Sequence, residues 1–139
     1  MRKGDIIFVY GTLRKGERAD LAKQSGSFGV CFLGNDTIGG KMYHLGAYPG
    51  VKDAADYDAG KPTVEGEVFL IVDASIIAVM DAYEGYPHLY DRKQVLAKSA
   101  RNVWVYVYNH PTTSEQLIMS GDWVKNREPV VRNRPLERS

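Results

Sequence analysis

The chain has 139 residues, 44% of them hydrophobic and 25% charged, with a formal net charge of +1 at pH 7. That length supports one domain with its own core, and the balance of residue classes is that of an ordinary globular protein. The near-neutral charge argues against a nucleic-acid partner, and no apolar run approaches the roughly 18 residues a membrane span requires.

Met1-Arg2-Lys3-Gly4-Asp5 is followed by five apolar residues, too few for the core of a secretory signal. A single cysteine, Cys31, allows no internal disulfide, so the expected setting is a reducing cytoplasm. Ile6 to Tyr10 is an unbroken β-branched and aromatic run, the pattern of a strand buried on both faces. Gly11 and Gly16 then bracket a segment without periodicity, and the strand should break into a tight loop. Glycine there lets the backbone turn and lets another group approach the main chain, and consecutive N–H groups in such a loop can hold an anion. A plain strand-to-helix connection with Arg14 and Lys15 serving solubility fits the same residues.

Glu17 to Ser25 reads as a short helix anchored by Leu21 and Ala22 and ending at Gly26. Phe28 to Leu33 has strand composition, closed by the turn signal Gly34-Asn35-Asp36. Ile38 to Leu45 follows as another strand, with a bulge or bend at Gly39-Gly40. Tyr48-Pro49-Gly50-Val51 has turn chemistry, and Asp53 to Pro62 reads as a polar loop. Thr63 to Val72 is the clearest strand, with Val64, Gly66, Val68, Leu70 and Val72 on one face and Glu65 and Glu67 opposite. Asp73 is placed to cap a helix in which Ile76, Val79, Met80 and Tyr83 recur at helical spacing, and Gly85 ends it. Arg92–Ala97 and Val103–Asn109 form an expected hairpin across the Lys98–Asn102 turn. Gly121-Asp122-Trp123 marks a last turn, so the reading is one domain over 1–124 and a charged tail over 125–139. Six strands to one main helix, with short connections, indicate an α+β fold: a small, mixed, largely antiparallel sheet curled toward a barrel.

Most familiar chemical signatures are missing. His44, His88 and His110 follow no metal-ligand spacing, so no metal is expected. Cys31, inside Val30-Cys31-Phe32-Leu33, reads as a small core residue. The first loop has neither a P-loop ending nor a dinucleotide fingerprint, and no serine stands in a Gly-x-Ser-x-Gly elbow. Glu84 remains, in the last turn of the main helix. The helix dipole disfavours an anion there by roughly 0.3–1 kcal/mol. Tyr83, Tyr86 and Pro87 offer bulk to exclude water, and both effects raise a carboxyl pKa toward neutrality. From these features alone, a surface glutamate that happens to end a helix, or one paired with Arg92, is the favoured reading.

In order along the chain stand Val9-Tyr10-Gly11-Thr12-Leu13-Arg14-Lys15-Gly16, Val64-Glu65-Gly66-Glu67-Val68, Met80-Asp81-Ala82-Tyr83-Glu84-Gly85, Tyr90-Asp91-Arg92, Trp104-Val105-Tyr106-Val107-Tyr108 and Ser120-Gly121-Asp122-Trp123. With these the chain resembles the γ-glutamylcyclotransferase-like superfamily, in particular its small AIG2-like members related to γ-glutamylamine cyclotransferase. The resemblance implies the barrel-like α+β fold and a cofactor-independent enzyme. Such an enzyme releases an amine from a small-molecule γ-glutamyl amine or peptide by closing the glutamyl group into 5-oxoproline. It carries substrate binding to Tyr10, Gly11, Thr12 and Leu13, and catalysis, as general acid/base, to Glu84. The glutathione-cleaving branch usually has serine and asparagine after the glycine. Thr12-Leu13 counts against glutathione and leaves γ-glutamylamines or a dedicated metabolite open. Tyr90, Arg92 and the face of Trp104, Tyr106 and Tyr108 are further candidates to line the cavity. The alternative is a non-catalytic module of the same fold that binds a small molecule.

Overall fold

Alternating burial along β-rich segments builds one seven-stranded sheet in the computed structural model, which describes residues 1–17, 20–21 and 29–125. The strands are β1 (Ile6–Val9), β2 (Val30–His44), β3 (Pro49–Ala55), β4 (Thr63–Ile71), β5 (Tyr90–Leu96), β6 (Asn102–Tyr108) and β7 (Leu117–Ile118), and the helix α1 spans Ser75–Glu84 between β4 and β5. Their order is β3-β2-β4-β1-β6-β5, with β7 beside β2. Only β1 and β6 pair in parallel, and the other pairings are antiparallel.

The two ends of that order meet. Tyr90 donates its phenol to the Pro49 carbonyl at 2.8 Å, and Lys93 its ammonium to the Ala54 carbonyl at 2.6 Å. Tyr57 N–H donates to the Leu96 carbonyl at 2.8 Å. These bonds join β3 and the chain just beyond it to β5, so the sheet is a nearly closed barrel and the fold is mixed α+β. Closure occupies strand edges that would otherwise be open to pairing with another chain.

The apolar run of β1 is buried on both faces, as its composition predicts. Phe8 and Tyr10 point inward among Ile38, Val64, Val68, Val103 and Val105. Ile7 and Val9 point outward, where Phe69, Ile71, Ile76 and Met80 cover them. α1 therefore docks on the outside of the barrel wall. Its buried stripe is narrower than the helical spacing suggests: Ile76 and Met80 are buried, while Val79 and Tyr83 are 46% and 42% exposed. Gly85 ends the helix in the left-handed conformation (φ +66°), and the N–H groups of Gly85 and Tyr86 turn back to the Ala82 and Asp81 carbonyls. At the other end Ala74, not Asp73, occupies the cap position, and the Asp73 carboxylate accepts from the Ser75 N–H at 2.9 Å.

Three expectations are corrected. Gly34-Asn35-Asp36 is no turn, because β2 runs on through it against β4, absorbing a register shift between Phe32 and Gly34. The polar Asp36 is buried and accepts from the backbone and hydroxyl of Ser99, a partner distant in sequence. Pro49-Gly50-Val51 and Asp53 belong to β3 rather than to a turn and a loop. Cys31 is exposed, its place in β2 putting it on an outer face. The expected irregularity at Gly39-Gly40 is present as a register shift toward β3. The β5–β6 hairpin forms as its pattern predicts. Most of the helix expected over Glu17–Ser25, and nearly all of the 125–139 tail, lie outside the described residues.

Candidate active site

The loop after β1 is held from several sides. Gly66 of β4 lies so close to β1 that a Cβ there would meet the Val9 carbonyl oxygen at 2.4 Å and the Phe8 ring at 2.6 Å. A Cβ on Gly11 would meet the Pro49 ring at 2.7 and 2.8 Å, so this glycine is required first by its protein neighbour. Gly11 to Arg14 closes a turn, with Arg14 N–H on the Gly11 carbonyl at 3.0 Å. Arg14 is not a solvating charge. It pairs with Glu67 at 3.3 Å and Asp122 at 3.2 Å, and the other Glu67 oxygen accepts from Lys15 N–H at 2.8 Å. The N–H groups of Thr12 and Leu13 donate to no group among the described residues, and such a pair suits an anion.

A cavity of about 250 Å³ opens beside this turn. Tyr10, Gly11, Thr12 and Leu13 line one part of it, and Glu84 with Tyr83, from the end of α1, lines another. All five site residues read from the sequence thus face one space. Tyr106 and Tyr90 line it as well; Arg92, Trp104 and Tyr108 do not. Trp104 donates to Asp5 at 3.1 Å, and Tyr108 packs on Tyr90 with ring centres 5.4 Å apart. Phe8, Val9, Tyr48, Pro49 and Leu89 complete the wall and were missed as site residues. Tyr48-Pro49 reads locally as a turn, and only the pairing of β3 into the barrel brings it to the site.

Glu84 is half-buried, and its carboxylate makes no hydrogen bond or ion pair among the described residues. Loss of water through burial raises its pKa from the ordinary 4.5 to about 7. The phenols around the cavity do not compensate it, because their protons go elsewhere: Tyr10 donates to the Tyr106 carbonyl at 2.8 Å, Tyr90 to the Pro49 carbonyl at 2.8 Å and Tyr106 to Asp81 at 2.6 Å. Burial is also the leading cause that pushes the Tyr10, Tyr90 and Tyr106 phenols up, and the Glu84 charge adds to it, so all three stay protonated. The alternative pairing of Glu84 with Arg92 is not found. Arg92 instead pairs with Asp81 at 3.3 Å and lies 4.1 Å from the centre of the Tyr86 ring. Tyr86 thus covers the arginine rather than the glutamate.

A carboxyl poised near neutrality beside an N–H-lined turn can exchange protons with a bound molecule whose anionic end the turn holds. Among the described residues no cluster of three His, Cys, Asp or Glu side chains is arranged to hold a metal, and no helix is long and apolar enough to cross a membrane.

A family model described as gamma-glutamyl cyclotransferase, AIG2-like, matches residues 7–125. The chain belongs to this family. It is 36% identical over 122 residues to the gamma-glutamylcyclotransferase family protein YtfP of Escherichia coli, covering 85% of this chain and 95% of that one. The solution structure of Escherichia coli ytfP superposes with a TM-score of 0.62 at 32% identity, over 87% of this chain and 97% of that chain. An uncharacterized protein from Pyrococcus horikoshii has the same fold, with a TM-score of 0.69 at 24% identity over 92% of this chain and 97% of that one.

Proposed function

We propose that the protein closes the γ-glutamyl group of a small γ-glutamyl amine or peptide into 5-oxoproline and releases the amine, with Glu84 as general acid/base. The observation that carries this reading is that an unpaired Glu84 lines the same cavity as the Thr12-Leu13 turn, whose N–H groups have no partner among the described residues. Family membership supports the same chemistry. The cavity of about 250 Å³ falls just below the roughly 300–1,000 Å³ of common ligand pockets, which favours a small substrate.

The turn would hold the substrate's α-carboxylate by charge-assisted bonds. Nucleophile and target then lie in one molecule, and ring closure becomes chiefly a matter of orientation. Glu84 takes a proton from the α-ammonium, and the free amine attacks the γ-carbonyl carbon. The same proton passes to the leaving nitrogen as its bond to carbon breaks. The regenerated carboxylate takes the surplus proton from the ring nitrogen and passes it to the departing amine, which leaves as an ammonium ion. All bonds and protons balance without a cofactor.

Incubation with γ-glutamyl compounds that differ only in the amine, followed by assay for 5-oxoproline, tests the reading. Product formation is expected for at least one. Binding without product across the series would replace it with the non-catalytic module.

A further inference from the structure

Glu84 has a charged neighbour that it does not use. Asp81 stands three residues earlier on α1, and side chains at that spacing lie on one helix face about 5–6 Å apart at Cβ. Asp81 pairs with Arg92 at 3.3 Å and accepts from Tyr106 at 2.6 Å. The Arg92 guanidinium is incompletely used, since its Nε is buried without a partner among the described residues. A cation with a donor to spare is therefore held by the residue that stands one helical turn before the cavity carboxylate. The titratable groups facing Glu84 across the cavity are Tyr10 just after β1, Tyr48 before β3, Tyr90 of β5 and Tyr106 of β6, with Tyr83 on its own helix. None of these is a cation.

We propose that Asp81 is a positioning residue that holds Arg92 off Glu84, so that the cavity carboxylate stays without a cationic partner. Without the Asp81 charge, Arg92 turns to Glu84, and the carboxylate becomes a poorer proton acceptor. The inference rests on the acid/base reading of Glu84 for its importance but not for its test.

The test follows the Glu84 carboxyl carbon by NMR through a pH titration, in wild type, Asp81→Asn, Arg92→Gln and the double variant. An opposite charge close by lowers a carboxyl pKa by about 1–3 units. Asp81→Asn should lower the midpoint by that amount and move the acidic limb of kcat/KM with it. Arg92→Gln alone should leave the midpoint in place, and the double variant should return it to the wild-type value. An unmoved midpoint in Asp81→Asn overturns the proposal, and so does a double variant that stays low. If Asp81→Asn does not fold, Arg92→Gln still decides, because a midpoint raised by a unit or more would mean that Arg92 already acts on Glu84. A shifted midpoint in a protein that forms no 5-oxoproline would leave the positioning role standing and remove the catalytic one.

Discussion

The hydroxyl of Thr12 and the phenol of Tyr83 lie 2.6 Å apart, joining positions 71 residues apart in sequence. The first belongs to the turn after β1, the second stands beside Glu84 in the last turn of α1. The bond ties the turn after β1 to the helix end that carries the Glu84 carboxylate. A net hydrogen bond of this kind contributes about 0.5–1.5 kcal/mol. Thr12→Ala and Tyr83→Phe should each cost about that much in denaturant unfolding, and the double variant little more than either single. Additive losses would show that the two hydroxyls do not act together.

Replacing Glu84 by Gln keeps its size and removes proton exchange. General acid–base catalysis supplies about 10²–10⁴-fold in rate. In the proposed mechanism one group serves both the attack and the departure, so the loss of 5-oxoproline formation should fall near or beyond the upper end, with substrate affinity by calorimetry changed far less. A folded variant that keeps more than about a tenth of wild-type turnover, short of the smallest loss in that range, would remove Glu84 from the mechanism.

The same residue should leave a mark on stability. In the folded chain its carboxyl holds a proton up to about pH 7, whereas at its ordinary 4.5 it gives the proton up earlier on unfolding. The folded state binds more protons between those values, so this contribution is full below about pH 4.5 and is lost as pH rises through 7. At 1.36 kcal/mol per unit, the loss amounts to up to about 3 kcal/mol. Glu84→Gln should flatten that part of the profile and hold or raise stability at neutral pH. Urea midpoints measured from pH 4.5 to 7.5 on both proteins check this, and parallel profiles would contradict it.

Gly11 tests the shape of the turn. Its missing Cβ leaves room for the Pro49 ring, and Gly11→Ala should push the turn or the start of β3 by overpacking, at about 1–3 kcal/mol. Pairing it with Pro49→Ala should recover much of that stability. If Gly11→Ala is neutral in melting yet abolishes ligand binding, a ligand rather than Pro49 sets the requirement for glycine.

What the sequence made legible was local. The apolar run of β1, the glycine stop of α1 and the alternating faces of β6 are decided by neighbours within a few residues, and each pattern survived in the structure. The misreadings share one cause. Asn35 and Asp36 resemble a turn because their partners, Glu67 and Ser99, lie more than thirty residues away. Pro49 resembles a turn because its role, against Gly11 and under the Tyr90 phenol, exists only when β3 reaches β5. The environment of Glu84 divides in the same way. Its place at the helix end is visible in Tyr83-Glu84-Gly85, but the rings of Tyr10, Tyr90 and Tyr106 that line the cavity with it arrive from the loop after β1 and from two further strands.

The parallel pairing of β1 with β6 governs when the cavity comes into being. Tyr10 is synthesised well before its partner, since the carbonyl that accepts its phenol belongs to Tyr106, 96 residues later. No early portion of the nascent chain can assemble the site, and its appearance reports that the barrel has closed. A backbone cleaved between β4 and α1, at Asp73 or Ala74, would leave the Tyr10–Leu13 turn on one fragment and Glu84 on the other. Each half would lack part of the proposed site, and recovery of the proposed 5-oxoproline formation on mixing would measure reassembly of the whole sheet.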